Sequence, residues 1–134
     1  MNGEKFTFGA VGTAIAFVFG SLDAMLITLI LFICIDFLSG FICAWVKREL
    51  SSNKFYLGGV KKIGILLIVA VATQLDNLIL GDPNDIVRTV ALSYYIACEG
   101  LSILENWGGL GLPLPKILRN ALKKLREDDD NDSN

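Results

Sequence analysis

Residues Ala24–Val46, AMLITLILFICIDFLSGFICAWV, are apolar almost throughout and are closed by Lys47-Arg48. A helix of about 23 residues is roughly 34 Å long, enough to cross a hydrocarbon core about 30 Å thick. One residue interrupts the run near its middle, Asp36. A carboxylate at bilayer depth costs on the order of 3 kcal/mol on insertion scales, so it is kept where it faces other helices, water or a partner. A soluble buried helix with a hydrogen-bonded Asp is the alternative. Composition argues against it: 53% of the 134 residues are hydrophobic, which is high for a water-soluble domain of this size.

The net charge of -2 conceals a segregation. Acidic residues crowd the last positions, while Lys and Arg gather over residues 47–62 and 116–126. Basic clusters that flank apolar spans fit membrane topology and not nucleic-acid binding. Cys34, Cys43 and Cys98 lie inside apolar stretches and behave as small hydrophobes, with neither a disulfide framework nor a zinc pattern. The chain has no histidine, which removes the commonest general base and metal ligand. No Walker loop, GxSxG or GxGxxG occurs. The sequence predicts no enzyme, no cofactor and no metal.

Four apolar segments are expected, over residues 6–20, 24–46, 63–80 and 86–107. The first is about 15 residues, roughly 22 Å as helix, and is short for a span; a signal-peptide core is its alternative. Gly12, Ala16 and Gly20 form a small-xxx-small row there, and Gly40 and Ala44 form another in the second segment. Such rows let helices approach closely in lipid. In the second segment Thr28, Phe32, Asp36, Ser39, Gly40, Cys43 and Lys47 share one face, and Leu29, Ile33 and Leu38 form the expected lipid face.

Residues 47–62, KRELSSNKFYLGGVKK, carry five basic residues against Glu49 alone. The breakers Ser51–Asn53 and Gly58-Gly59 predict a loop or a short surface helix. Lys47, Arg48, Lys61 and Lys62 are the expected membrane-surface cations. The positive-inside rule places them in the cytoplasm, with the acidic turn GDPND on the outer side. In the fourth segment Arg88, Tyr95, Glu99, Ser102 and Asn106 line one helical face. These residues and Asp36 are the candidate pore-lining or intramembrane polar set; merely holding helix to helix is their bland alternative. Residues 108–115, GGLGLPLP, cannot continue a helix and predict a hinge. Residues 116–126 predict a basic amphipathic helix on an anionic membrane surface, with Lys116, Arg119, Lys123 and Lys124 on its polar side. Residues 127–134 predict a disordered acidic tail.

The expected fold is all-α, a membrane bundle of three to four transmembrane helices plus that surface helix, with the C-terminus cytoplasmic. Asp76 and Arg88 flank one turn and predict a salt bridge with each other. Asp36 and Glu99 have no cation at their level beyond what Lys47 or Lys62 reaches by snorkelling. Unpaired carboxylates take up protons or face water. Water inside so few helices requires several copies, which predicts a homo-oligomer with polar stripes inward.

Three blocks carry a family resemblance: IDFLSGFICAWVKRELSS, GGVKKIGILLIVAVATQLD and YYIACEGLSILENWGGLGLPLPKILRNAL. Glu99-Gly100, Ser102, Glu105-Asn106 and Pro113-Leu-Pro115 stand in the order of the phage lysis and toxin-secretion holins of Gram-positive bacteria and their phages, which the chain resembles. Cys98 departs from a frequent Asn, and the segment before Asp23 lies outside the resemblance. The resemblance implies a protein of the bacterial cytoplasmic membrane that oligomerises and opens lesions. Its cargo would be an endolysin or a signal-less toxin that passes without stable binding. A small proton-coupled transporter or channel, built on Asp36 or Glu99, is the competing function. A structural membrane adaptor for a lytic enzyme is the third.

Overall fold

The computed structural model describes residues 2–80 and 85–131. These residues form five α-helices and one π-helical turn: α1 (Asn2–Phe19), α2 (Ala24–Val46), α3 (Ser52–Leu75) continued by the π turn Asp76–Leu80, α4 (Ile86–Gly108) and α5 (Lys116–Asn131). Three helices are long and apolar enough to cross a membrane: Ala24–Val46, Ser52–Ile79 and Ile86–Gly108. The first apolar segment is not among them. As α1 it stands almost wholly exposed, touching α3 through the Gln74 amide, which donates to the Phe17 carbonyl at 2.8 Å.

Helix α4 is the centre of the bundle and packs most extensively against α2, then against α5 and α3. Leu26 and Leu29 of α2, Val69 of α3 and Leu92 of α4 form the buried core, with Ile33, Ile65, Tyr95 and Ile96 packed around them. The expected lipid face of α2 is thereby corrected. Leu29 is fully buried and Ile33 lines the core, so that only Leu38 faces outward. A helix gripped by two neighbours buries more of its girth than one stripe. Lipid tails are as apolar as leucine, so apolar burial alone gives helices in a bilayer little reason to associate. Close packing and interhelical polar bonds then decide which faces meet.

Helix α3 begins at Ser52, far ahead of the expected residue 63. Gly58-Gly59 lies inside it, at a cost of about 1 kcal/mol per glycine relative to alanine. That is too little to stop a helix whose first turns are held tertiarily. Phe55 packs against Phe37 and Phe41 of α2, with ring centroids 5.8 and 5.5 Å apart. Between α2 and α3 the chain turns at Arg48, which takes a left-handed φ of 57°. The Glu49 N–H then donates to the Ala44 carbonyl at 2.8 Å, closing the helix end.

The expected hinge is a tight reversal. The Gly111 N–H donates to the Gly108 carbonyl at 3.0 Å, and Gly111 has a φ of 84°. Helix α5 then doubles back along α4 and does not extend away from it. Leu114 lies over Gly108, and the Leu122 methyls come within 3.0 and 3.1 Å of where a Cβ of Gly100 would stand. The helix continues to Asn131, where residues 127–134 were expected to be disordered. Extending an existing helix adds one hydrogen bond per residue fixed and needs no new nucleus. Residues 132–134 lie outside the described residues.

Candidate functional site: an intramembrane ion triad

Three consecutive spans each contribute one charge to a single cluster. The Lys62 ammonium of α3 donates to Asp36 Oδ2 of α2 at 2.6 Å and also pairs with Glu99 of α4. Asp36 is 8% exposed and Glu99 4%. The other Asp36 oxygen, Oδ1, accepts from the Asn106 amide at 3.1 Å. That amide also donates to Ser39 Oγ at 2.8 Å, and the Ser39 hydroxyl donates to the Asp36 carbonyl at 3.1 Å. Gly40 lies at this approach, where a Cβ would stand in ordinary contact with the Asn106 amide nitrogen, at 3.6 Å. A cavity of about 240 Å³ opens beside the triad between α2 and α3, lined by Asp36, Gly40, Ala44, Lys62, Ser102 and Asn106 among others.

Two expectations are corrected by this geometry. Asp36 and Glu99 are not carboxylates without a cation, because Lys62 serves both. Lys62 is not a surface residue of a loop. The early start of α3 makes it part of a helix packed in the bundle, where its ammonium lies between two acids. Removing one member of a buried ion pair costs about 3–5 kcal/mol, because the remaining charge is left uncompensated. The triad ties α2, α3 and α4 together in the sense that losing any one member is costly, and with both carboxylates ionised it carries one net negative charge.

A second cluster closes the opposite end of the bundle. Arg88, 2% exposed, donates through Nε to the Phe19 carbonyl at 2.8 Å and through Nη2 to the Ser21 carbonyl at 2.8 Å. Its Nη1 meets Asp23 Oδ2 at 2.7 Å. The expected Asp76–Arg88 salt bridge is thus not formed by the guanidinium. Asp76 instead accepts from the backbone N–H groups of Val87 at 3.0 Å and Arg88 at 2.7 Å. The carboxylate caps α4 from a distance, because Asp85 at the helix start makes no side-chain cap bond. Arg88, its planar fork thus freed, satisfies two carbonyls and one carboxylate of the α1–α2 turn. The Arg88 hydrogen bond holds the Asp23 carboxyl below its ordinary range, against a smaller opposing effect of burial.

The remaining candidates fall into place around these clusters. Tyr95 packs on the apolar core and edge-on to Tyr94. Ser102 lines the cavity. The face of α4 carrying Arg88, Tyr95, Glu99, Ser102 and Asn106 is thus turned into its own chain. Of the small residues, Gly40 and Ala44 lie at the α2–α4 approach, whereas Gly12 has nothing near it and Ala16 is exposed. Gly20 receives the Arg88 side chain of α4. Lys47 reaches Gly109. Arg48, Lys61, Lys116, Arg119, Lys123 and Lys124 are exposed. Cys34 is exposed, and Cys43 and Cys98 are half-buried. No cluster of metal-ligating side chains occurs among the described residues. Sequence reasoning left Asp23 out of the candidate set and placed Ser39 only on the shared face of the second segment. Asp23 stood at the same turn level as Arg88, and that was the available signal.

The sequence relatives agree with a membrane protein of this plan. A protein family described as the bacteriophage holin family matches residues 13–127. An uncharacterised 14.9 kDa protein of Clostridium perfringens is 42% identical over 125 residues, covering 93% of this chain and 94% of that one. An uncharacterised protein of Listeria monocytogenes is 38% identical over 88% of this chain and 83% of its own. A protein of Bacillus phage phi105 named "Probable holin" is 34% identical over 92% of this chain and 89% of its own. No solved structure matches the chain. The chain belongs to the bacteriophage holin family.

Proposed function

We propose that this protein is a holin that accumulates in the bacterial cytoplasmic membrane, oligomerises there and opens lesions that release a cell-wall-degrading enzyme or a signal-less toxin. Family membership supports this reading, and one observation gives it physical content. The titratable groups carried deepest into the spans, Asp36, Lys62 and Glu99, pair with one another within a single chain, which leaves at most one net charge among them. A copy built so suits lipid better than one with bare carboxylates, because each of the three groups has a partner in its own chain. Copies can then gather in a membrane that stays tight until lesions open. The basic turn after α2 and the chain end lie on the cytoplasmic side in this reading. The protein acts on the bilayer as a homo-oligomer and the cargo passes without being bound.

The test is co-expression with a cytoplasmic muralytic enzyme that has no export signal. Induction of both should lyse the cells abruptly, and neither alone should. Continued growth with both proteins present and this one inserted contradicts the proposal.

A second reading is favoured by the cavity of about 240 Å³ that reaches Asp36 and Lys62. It would give a small proton-coupled transporter or channel, whose conduction is lost in Asp36→Asn and which never passes a folded protein.

A further inference from the structure

With the ion triad closed inside the chain, the hydrophilic wall of a lesion must come from another surface. Helix α5 is the most amphipathic of the described helices, and it lies along α4 without belonging to a span. Leu122 seats over Gly100, with Phe32 on the other side of the same glycine. Arg119 and Lys123 enclose a small cavity with Leu101, Leu104 and Glu105 of α4. Arg119 and Lys123 stay exposed at the rim of that cavity, and Lys116 and Lys124 are exposed as well.

Depth makes this arrangement informative. Gly100 stands eight residues before the end of α4 at Gly108, about 12 Å along the helix, and so roughly 10 Å inside the hydrocarbon. Helix α5 seated there carries its basic side along the flank of a span, where acyl chains cannot solvate it. The same helix lying on the membrane surface would keep its charges wet and its leucines in the interface. The seated position is therefore incompatible with lipid on that flank and suited to water.

We infer that α5 is the lesion-lining element: it rests on the membrane surface in dispersed copies and seats on the Gly100–Leu104 face of α4 where that face borders water. Its turn over residues 108–115 is the pivot and Gly100 the notch that admits Leu122. The inference rests on the lesion-forming reading and names the surface that does the lining.

The test uses the full chain in liposomes loaded with a folded reporter protein, with Cys34, Cys43 and Cys98 replaced by Ser. Glu105→Cys and Arg119→Cys, oxidised to a bond within one chain, hold α5 seated. Such vesicles should leak at least as fast as the reduced control. A separate variant, Gly100→Leu, fills the notch, and per inserted chain it should lose most of its leakage. In leaking vesicles, Lys123→Cys should react with a charged water-soluble thiol reagent and Leu122→Cys should be protected. Tight vesicles with α5 locked, or undiminished leakage in Gly100→Leu, overturn the inference while leaving a leaky parent as a lesion former. A parent that inserts fully and never leaks overturns the lesion reading, and the inference with it.

Discussion

Lys62 on α3 holds Asp36 on α2 at 2.6 Å, and with the same ammonium it holds Glu99 on α4. One cation thus fastens three spans. Lys62→Met leaves two buried carboxylates facing each other and should lower the stability of the folded monomer by about 3–5 kcal/mol. Lys62→Met combined with Asp36→Asn and Glu99→Gln should recover much of that loss, since no bare charge remains. Denaturant titration of the purified protein in bicelles measures both. Equal losses in the single and triple variants would show that packing, and not charge pairing, holds this point.

Arg88 makes the corresponding fastening at the other end of the bundle. Arg88→Lys keeps the charge but loses the fork that serves Phe19, Ser21 and Asp23 together. Protease cutting in the α1–α2 turn should rise while α2–α4 remain folded. The pH dependence has a definite sign. The Asp23 pKa is depressed in the folded state, so its contribution is fully present above the ordinary carboxylate range and is lost as pH falls through the depressed value. Stability should therefore be insensitive to Asp23 between about pH 5 and pH 8. Asp23→Asn should remove part of the acid limb of a stability–pH curve.

Two glycines of the first apolar segment should behave oppositely. Gly20 has a φ of 76°, and a Cβ there would lie 2.7 Å from Arg88 Nε. Gly20→Ala should cost about 1–2 kcal/mol from the left-handed backbone alone, with displacement of Arg88 in addition. Gly12 has open space around it, so Gly12→Leu should leave monomer stability unchanged. If the small-residue row meets another copy, Gly12→Leu will shift only the oligomer distribution, measured by in-membrane crosslinking.

Topology is tested with single cysteines on a chain whose native cysteines are replaced. Leu22→Cys, in the turn beside Asp23, should be labelled from outside intact cells by an impermeant reagent. Ser52→Cys, at the start of α3, should be labelled only after permeabilisation. Outside labelling at Ser52 contradicts the cytoplasmic placement of the basic turn.

Much of the bundle could be read directly from the amino-acid pattern. Helices α2 and α4 match their apolar runs to within a residue, because each run ends in a strong local signal: Asp23 and Lys47 for α2, Gly108-Gly109 for α4. The start of α3 was not legible. Its first turns look like a loop by composition and become helix through Phe55 seating on Phe37 and Phe41, a contact between segments. The misplacement of Lys62 followed directly from that boundary. The polar residues of α4 share one face by their spacing alone. Periodicity says which residues share a face, but which neighbour covers the face is a tertiary fact. The swap of partners at Arg88 has the same origin, since the sequence offers both Asp76 and Asp23 as carboxylates and only the fold decides which meets the guanidinium. Helix α5 was recognisable as amphipathic, but its return onto α4 depends on Leu122 finding Gly100, which no local pattern encodes.

The most direct test of the account is size-resolved release from liposomes that contain the purified protein and both a small dye and a folded reporter enzyme. Lesions predict that, once a threshold density of inserted protein is passed, dye and enzyme leave the same vesicles together, and that both are retained below it. Escape of the dye with the folded enzyme held back at every protein density would contradict the central claim and would identify a narrow channel instead.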